Sequence, residues 1–110
     1  MRVNFTFRNL EPSEGIKNYA HEKVSKLQKY LHAPLDAEIT LSVERHLQRA
    51  DVTVAADAHR YAAHEESEDM YASLDLVLDK LDRQIRDAKA AQVDRKRHGG
   101  GVAQLNGKNR

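Results

Sequence analysis

Six histidines, at positions 21, 32, 46, 59, 64 and 98, and seventeen Asp and Glu residues are the side chains of this sequence that could hold a metal or move a proton. None of the histidines stands in a His-Glu-x-x-His or comparable ligand frame. His59 and His64 could meet Glu65 or Glu66 across a hairpin, but spacing this loose recurs by chance, and surface histidines are the simpler reading. Cysteine is absent, which removes disulfides, thiolate metal sites and thiol nucleophiles and fits a reducing compartment. There is no Gly-x-Ser-x-Gly elbow and no Gly-rich phosphate loop. The run Gly99 to Gly101 follows a helical pattern instead of preceding one, the wrong side for an anion cradle. Asp75, Asp79, Asp82 and Asp87 fit an exposed charged helix face better than a catalytic carboxylate pair. The expectation is a protein that is not an enzyme and carries neither metal nor cofactor.

Cations are the more informative set. Lys23 and Lys26 fall beside Tyr19 and Tyr30 at helical spacing, with Lys29 further round. Lys80, Arg83 and Arg86 follow at three-residue intervals in a second helical stretch, and Lys89 with Arg95 to Arg97 continue the charge. Two such helices side by side would offer cations to phosphates, with tyrosines able to stack on RNA bases or hydrogen-bond to RNA. The plainer alternative is an ordinary charged helix pair in which Asp79 and Asp82 balance the cations through i,i+4 pairs. Glu65, Glu66, Glu68 and Asp69 would repel phosphate near the start of the second helix while favouring that helix end through its dipole. A narrow basic track flanked by acid suits a shaped RNA pocket better than a DNA duplex, so shape should supply the specificity.

The elements that must position these groups can be read from periodicity. A chain of 110 residues is one domain, and it buries roughly 60 to 65% of its unfolded surface. With 40% hydrophobic and 32% charged residues it is globular with a heavily charged surface. No segment approaches the roughly 18 apolar residues of a membrane span, so a soluble, cytoplasmic protein without a membrane partner is expected. Residues 1–87 carry 12 Lys+Arg against 16 Asp+Glu, net −4, whereas residues 88–110 carry 6 against 1, net +5. "RVNFTFR" alternates with Val3, Phe5 and Phe7 on one side, which predicts a strand. Ile16, Ala20, Val24, Leu27 and Leu31 then predict an amphipathic helix that Pro34 closes. "AEITLSVERHL", "RADVTVAAD" and "RYAAHEE" predict three strands in an antiparallel meander, with Ala37, Ile39, Leu41, Val43 and Leu47 inward on the first. From Asp69 the period becomes 3.6, with Met70, Leu74, Val77, Leu78, Leu81, Ile85 and Ala88 on one face of a helix extending to His98. The order βαβββα packs as an α+β two-layer sandwich, both helices on one face of a four-stranded sheet and the other face wet. Residues 1–98 form the binding domain in this reading, and 99–110 a flexible polar and basic tail.

Two segments carry a resemblance, "YAHEKVSKLQKYL" and "EDMYASLDLVLDKLDRQIR". Set in a βαβββα frame over residues 1 to about 97, they resemble the ribosome hibernation-promoting factor and ribosome-associated inhibitor family of bacteria. Asp75, Asp79, Lys80, Leu81, Arg83 and Gln84 stand in family positions. The resemblance implies a topology similar to double-stranded RNA-binding domains with an added strand. It implies a non-enzymatic protein, monomeric off the ribosome, that occupies the decoding channel of the small ribosomal subunit in the space of mRNA and of A-site and P-site tRNA, silencing translation in stationary phase or starvation. Lys23, Lys26, Lys80, Arg83, Arg86 and Lys89 match family basic positions and would contact the rRNA. Asp87, Ala88, Ala90 and Ala91 interrupt the basic run that family members often carry here. Without the second, dimerising domain of the family's long form, the chain is not expected to join two ribosomes by itself. A separate ribosome modulation factor is a further implied partner. The alternative from another class is a protein-protein regulator, such as a modulator of an alternative sigma factor.

Overall fold

The computed structural model describes residues 1–98, with side chains to residue 92. The expected tail 99–110 and the side chains of Arg95, Lys96 and Arg97 lie outside the described residues. The order is β1 (Arg2–Arg8), α1 (Glu14–Ser25), a 3-10 turn (Lys26–Tyr30), β2 (Asp36–Glu44), β3 (Leu47–Ala56), β4 (His59–Ser67) and α2 (Met70–His98). The sheet runs β1-β2-β3-β4, with β1 parallel to β2 and the other two pairings antiparallel. The expected α+β class and meander are therefore present.

One face of each strand builds the core. Cross-strand rows Val3–Ala37–Val54–Tyr61 and Phe5–Ile39–Val52–Ala63 lie under the helices. From above, Ala20 and Val24 of α1, Leu27 of the 3-10 turn, and Met70, Leu74, Val77, Leu78, Leu81 and Ile85 of α2 close the layer. Each large aliphatic side chain buried there contributes about 1.5–3 kcal/mol of transfer free energy. The opposite face alternates polar side chains, as in the row Thr6–Thr40–Asp51–His64, and Arg49 clasps Asp51 there with two hydrogen bonds of 2.8 and 3.1 Å.

Three local details depart from the expected pattern. The first helix tightens after Ser25 into 3-10 geometry, which satisfies end carbonyls with i→i+3 bonds and lets Leu27 and Leu31 both reach the core. Gln28 then fixes the exit, its amide donating to the Ala33 carbonyl and its Oε1 accepting from Leu35 N. Leu47 is not inward: the turn at Arg45–His46 sets it opposite Glu44 on the open face, where it is 39% exposed. The parity of a two-residue hairpin loop, and not hydrophobicity, decides its side. At the next hairpin, Asp57 and Ala58 both adopt positive φ (55° and 64°), as a type I′ turn requires, although neither is glycine.

Candidate nucleic-acid interface

Tyr19 of α1 meets Asp75 of α2, and Tyr30 at the end of the 3-10 turn meets Asp82, so the two helices run in the same direction. Parallel helices bring both N-termini to one end of the layer. That end is acidic for a structural reason: Glu14 sits in the first turn of α1, and Asp69 caps α2 by accepting from Ala72 N, each complementing a helix dipole. Ser13 caps α1 through Ile16 N, and buried Ser73 pins the start of α2 to β3 by donating to the Gln48 carbonyl at 2.6 Å. At the other end of α1, Lys23 stands in its last turn and Lys26 and Lys29 in the 3-10 turn that follows, where cations complement the C-terminal dipole.

The seam between the helices is built from two similar clusters. Tyr19 Oη donates to Asp75 Oδ1 at 2.6 Å, and Lys23 Nζ reaches the same oxygen at 3.0 Å while lying 5.6 Å from the Tyr19 ring centre. The Tyr19 hydrogen bond, helped by Lys23 and opposed by desolvation, holds the Asp75 carboxyl below its usual range. The same contact with Asp75 raises both the Tyr19 phenol and the Lys23 ammonium above their ordinary values. In the second cluster Tyr30 Oη lies 3.3 and 3.4 Å from the two oxygens of Asp82, and Arg86 donates to Asp82 through Nε. This bond raises the Arg86 guanidinium.

The six cations expected at the interface take different places. At about 100° per residue the α2 side chains fan outward: Lys80 toward β4, Arg83 on the crest, and Arg86 toward α1 beside the stripe Asp75, Asp79 and Asp82. Lys80 pairs with Glu65 of β4, so one of the acids expected to repel phosphate neutralises a member of the expected track. Arg83 is exposed and lines an open cavity of about 440 Å³ with Leu76, Lys80 and Asp87. Neither Lys26 nor Arg83 has a carboxylate partner among the described residues. Lys89, only 20% exposed, is tied at 2.9 Å to Asp57 in the β3–β4 turn.

Asp57 carries no signal in the sequence beyond its place in a turn, yet it joins three elements. Its carboxylate accepts from His32 N, Ala33 N and Lys89 Nζ, all at 2.9 Å. The His32 amide above all, then Lys89 and the Ala33 amide, hold it far below the usual carboxylate range. The histidine reading finds no support in the geometry. His59 and His64 are an odd number of residues apart on β4 and therefore face opposite sides of the sheet, with His59 instead contacting Gln92 of α2 at 3.0 Å. No group of three metal-capable side chains occurs among the described residues.

Comparison with known proteins identifies the relatives of this arrangement. The family described as Sigma 54 modulation protein / S30EA ribosomal protein matches residues 3–92. A protein from Azotobacter vinelandii named ribosome hibernation promoting factor is 33% identical over 95 residues, covering 86% of this chain and 89% of the relative. The Escherichia coli protein of that name is 32% identical over 85 residues, covering 77% of this chain and 90% of the relative. Among solved structures, the N-terminal domain of Thermus thermophilus Protein Y superposes with a TM-score of 0.74 at 28% identity, covering 79% of this chain and 98% of that one. A ribosomal subunit interface protein from Coxiella burnetii has the same fold, with a TM-score of 0.71 at 21% identity over 82% of this chain and 99% of the other. Matched along nearly all of its described length, the chain belongs to the Sigma 54 modulation protein / S30EA ribosomal protein family, a family of binding proteins and not of enzymes.

Proposed function

We propose that this chain binds the small ribosomal subunit through its helical layer, with Lys23, Lys26, Lys80, Arg83, Arg86 and Lys89 directed at phosphates of the small-subunit rRNA. Bound in the decoding channel, it excludes mRNA and A-site and P-site tRNA and so suspends translation in cells that have stopped growing. It acts in the cytoplasm as a monomer, reading RNA by shape and backbone charge, as a proposed similarity to double-stranded RNA-binding domains would have it. A separate ribosome modulation factor is a further proposed partner.

One observation carries the reading: Lys26 and Arg83, cations with no carboxylate partner among the described residues, stand on the helical layer of a chain whose relatives are named ribosome hibernation promoting factors. The acids at the two helix N-termini, Glu14 and Asp69, limit where a polyanion can lie. A sigma-factor role would need those acids as its contact surface, but Asp69 caps α2, Glu65 pairs with Lys80 and Glu66 lies 3.6 Å from Arg49. Co-sedimentation with purified small subunits at moderate salt tests the proposal. The wild type should pellet, and the quadruple variant Lys23→Glu, Lys26→Glu, Arg83→Glu, Arg86→Glu should not. Equal pelleting would remove the site assignment, and a wild type that stays in solution would remove the function. Ribosome association that survives rRNA digestion would favour protein contacts instead.

A further inference from the structure

We infer that Asp82, held by Tyr30, is a positioning residue that presents Arg86 as a bidentate reader of one backbone phosphate. The inference rests on the ribosome-binding proposal and adds which cation supplies directional contact. Arg86 meets Asp82 through Nε, and no described residue bonds to Nη1 or Nη2. The guanidinium is thus gripped on its side, while its terminal edge keeps the parallel N–H donors that match two phosphate oxygens. Asp82 is itself fixed, because Tyr30 Oη lies within 3.4 Å of both of its oxygens and the Tyr30 ring packs against the core. An unrestrained arginine loses side-chain entropy when it binds, and a gripped one loses less. The Tyr19–Asp75–Lys23 cluster repeats the plan seven residues earlier, about 10 Å along α2, but a lysine offers a point charge without a fork.

The plain reading of the Asp82–Arg86 contact is an i,i+4 pair that only supports the helix, and it makes the opposite prediction. If Asp82 did nothing for binding, replacing it with neutral Asn would remove a repulsive charge and strengthen attachment to a polyanion. Positioning predicts weakening in spite of the added net positive charge.

The test is binding of the full chain to purified small subunits across a salt series, for the wild type, Asp82→Asn, Tyr30→Phe, Arg86→Lys, Arg86→Ala and the Arg86→Ala, Asp82→Asn double variant. Asp82→Asn and Arg86→Lys should each weaken binding about five- to tenfold, as loss of a directed charge-assisted contact would. Arg86→Lys should keep the wild-type salt slope, because it keeps the charge. Tyr30→Phe should fall the same way as Asp82→Asn, and Asp82→Asn should cost nothing once Arg86 is Ala. Urea midpoints measured alongside confirm folded variants. Equal or tighter binding by Asp82→Asn, or wild-type affinity in Arg86→Lys, would overturn the inference while leaving the ribosome reading intact. Failure of the wild type to bind would overturn the reading itself.

Discussion

Tyr61 of β4 gives a sharp test of how the helices are held on the sheet. Its ring is 7% exposed beneath the helical layer, in the row Val3–Ala37–Val54–Tyr61, and its hydroxyl is buried with no hydrogen-bond partner among the described residues. Tyr61→Phe keeps the ring and its packing and removes only that oxygen. A buried polar group without a partner costs about 1–3 kcal/mol of desolvation, so the substitution should stabilise the protein by about 1 kcal/mol. For a domain of this size that is a rise in Tm of about 4–8 °C. Tyr19→Phe is the matched control. It makes the same chemical change but deletes a 2.6 Å hydrogen bond to Asp75, so it should destabilise. Urea unfolding followed by far-UV circular dichroism reads both as shifts in midpoint at constant slope. Loss of stability in Tyr61→Phe would refute the reasoning and mean that the hydroxyl is satisfied in solution. Equal signs for the two variants would show that hydroxyl partners do not decide the outcome.

Ala58→Gly should raise stability by about 0.5 kcal/mol in the same urea assay. Relief of a left-handed alanine (φ 64°), worth about 1–2 kcal/mol, outweighs the extra chain entropy of glycine, about 0.5–1 kcal/mol; a lower midpoint would refute this. The depressed carboxyls of Asp57 and Asp75 contribute stability that is complete above the unfolded carboxylate pKa, about 3.9, and is lost as pH falls through their folded values. Melting temperatures from pH 7 to pH 2 should therefore drop steeply below about pH 4. Asp57→Asn should be less stable at pH 7 with a shallower acid limb, and an unchanged limb would remove the Asp57 assignment. Replacing both Lys26 and Arg83 with Ala should weaken small-subunit binding and reduce the magnitude of the log K against log[salt] slope by about 1.4–1.8, the value for two lost phosphate contacts. An unchanged slope would show that these cations do not touch the RNA.

The sequence by itself determined the layer structure, because burial of one strand face and one helix stripe follows from spacing alone. Val3, Phe5 and Phe7, the alternation through β2 and β3, and the stripe from Met70 to Ile85 all lie where their periods put them. The family-bearing helix segments were legible for the same reason, since their residue types are local. What spacing could not reach was any partner choice made across elements. That α1 and α2 run parallel, that Tyr19 and Tyr30 each engage an aspartate of α2, that Glu65 takes Lys80, and that Lys89 reaches Asp57 all join residues 15 to 56 positions apart. The turn at Asp57–Ala58 lacked a glycine to announce it because three hydrogen bonds to the Asp57 carboxylate hold the left-handed backbone there. Hydrophobic pattern is a property of the chain taken one residue at a time. Which charge is neutralised, which is gripped and which stays open is decided only when tertiary structure brings a second charge within hydrogen-bond reach.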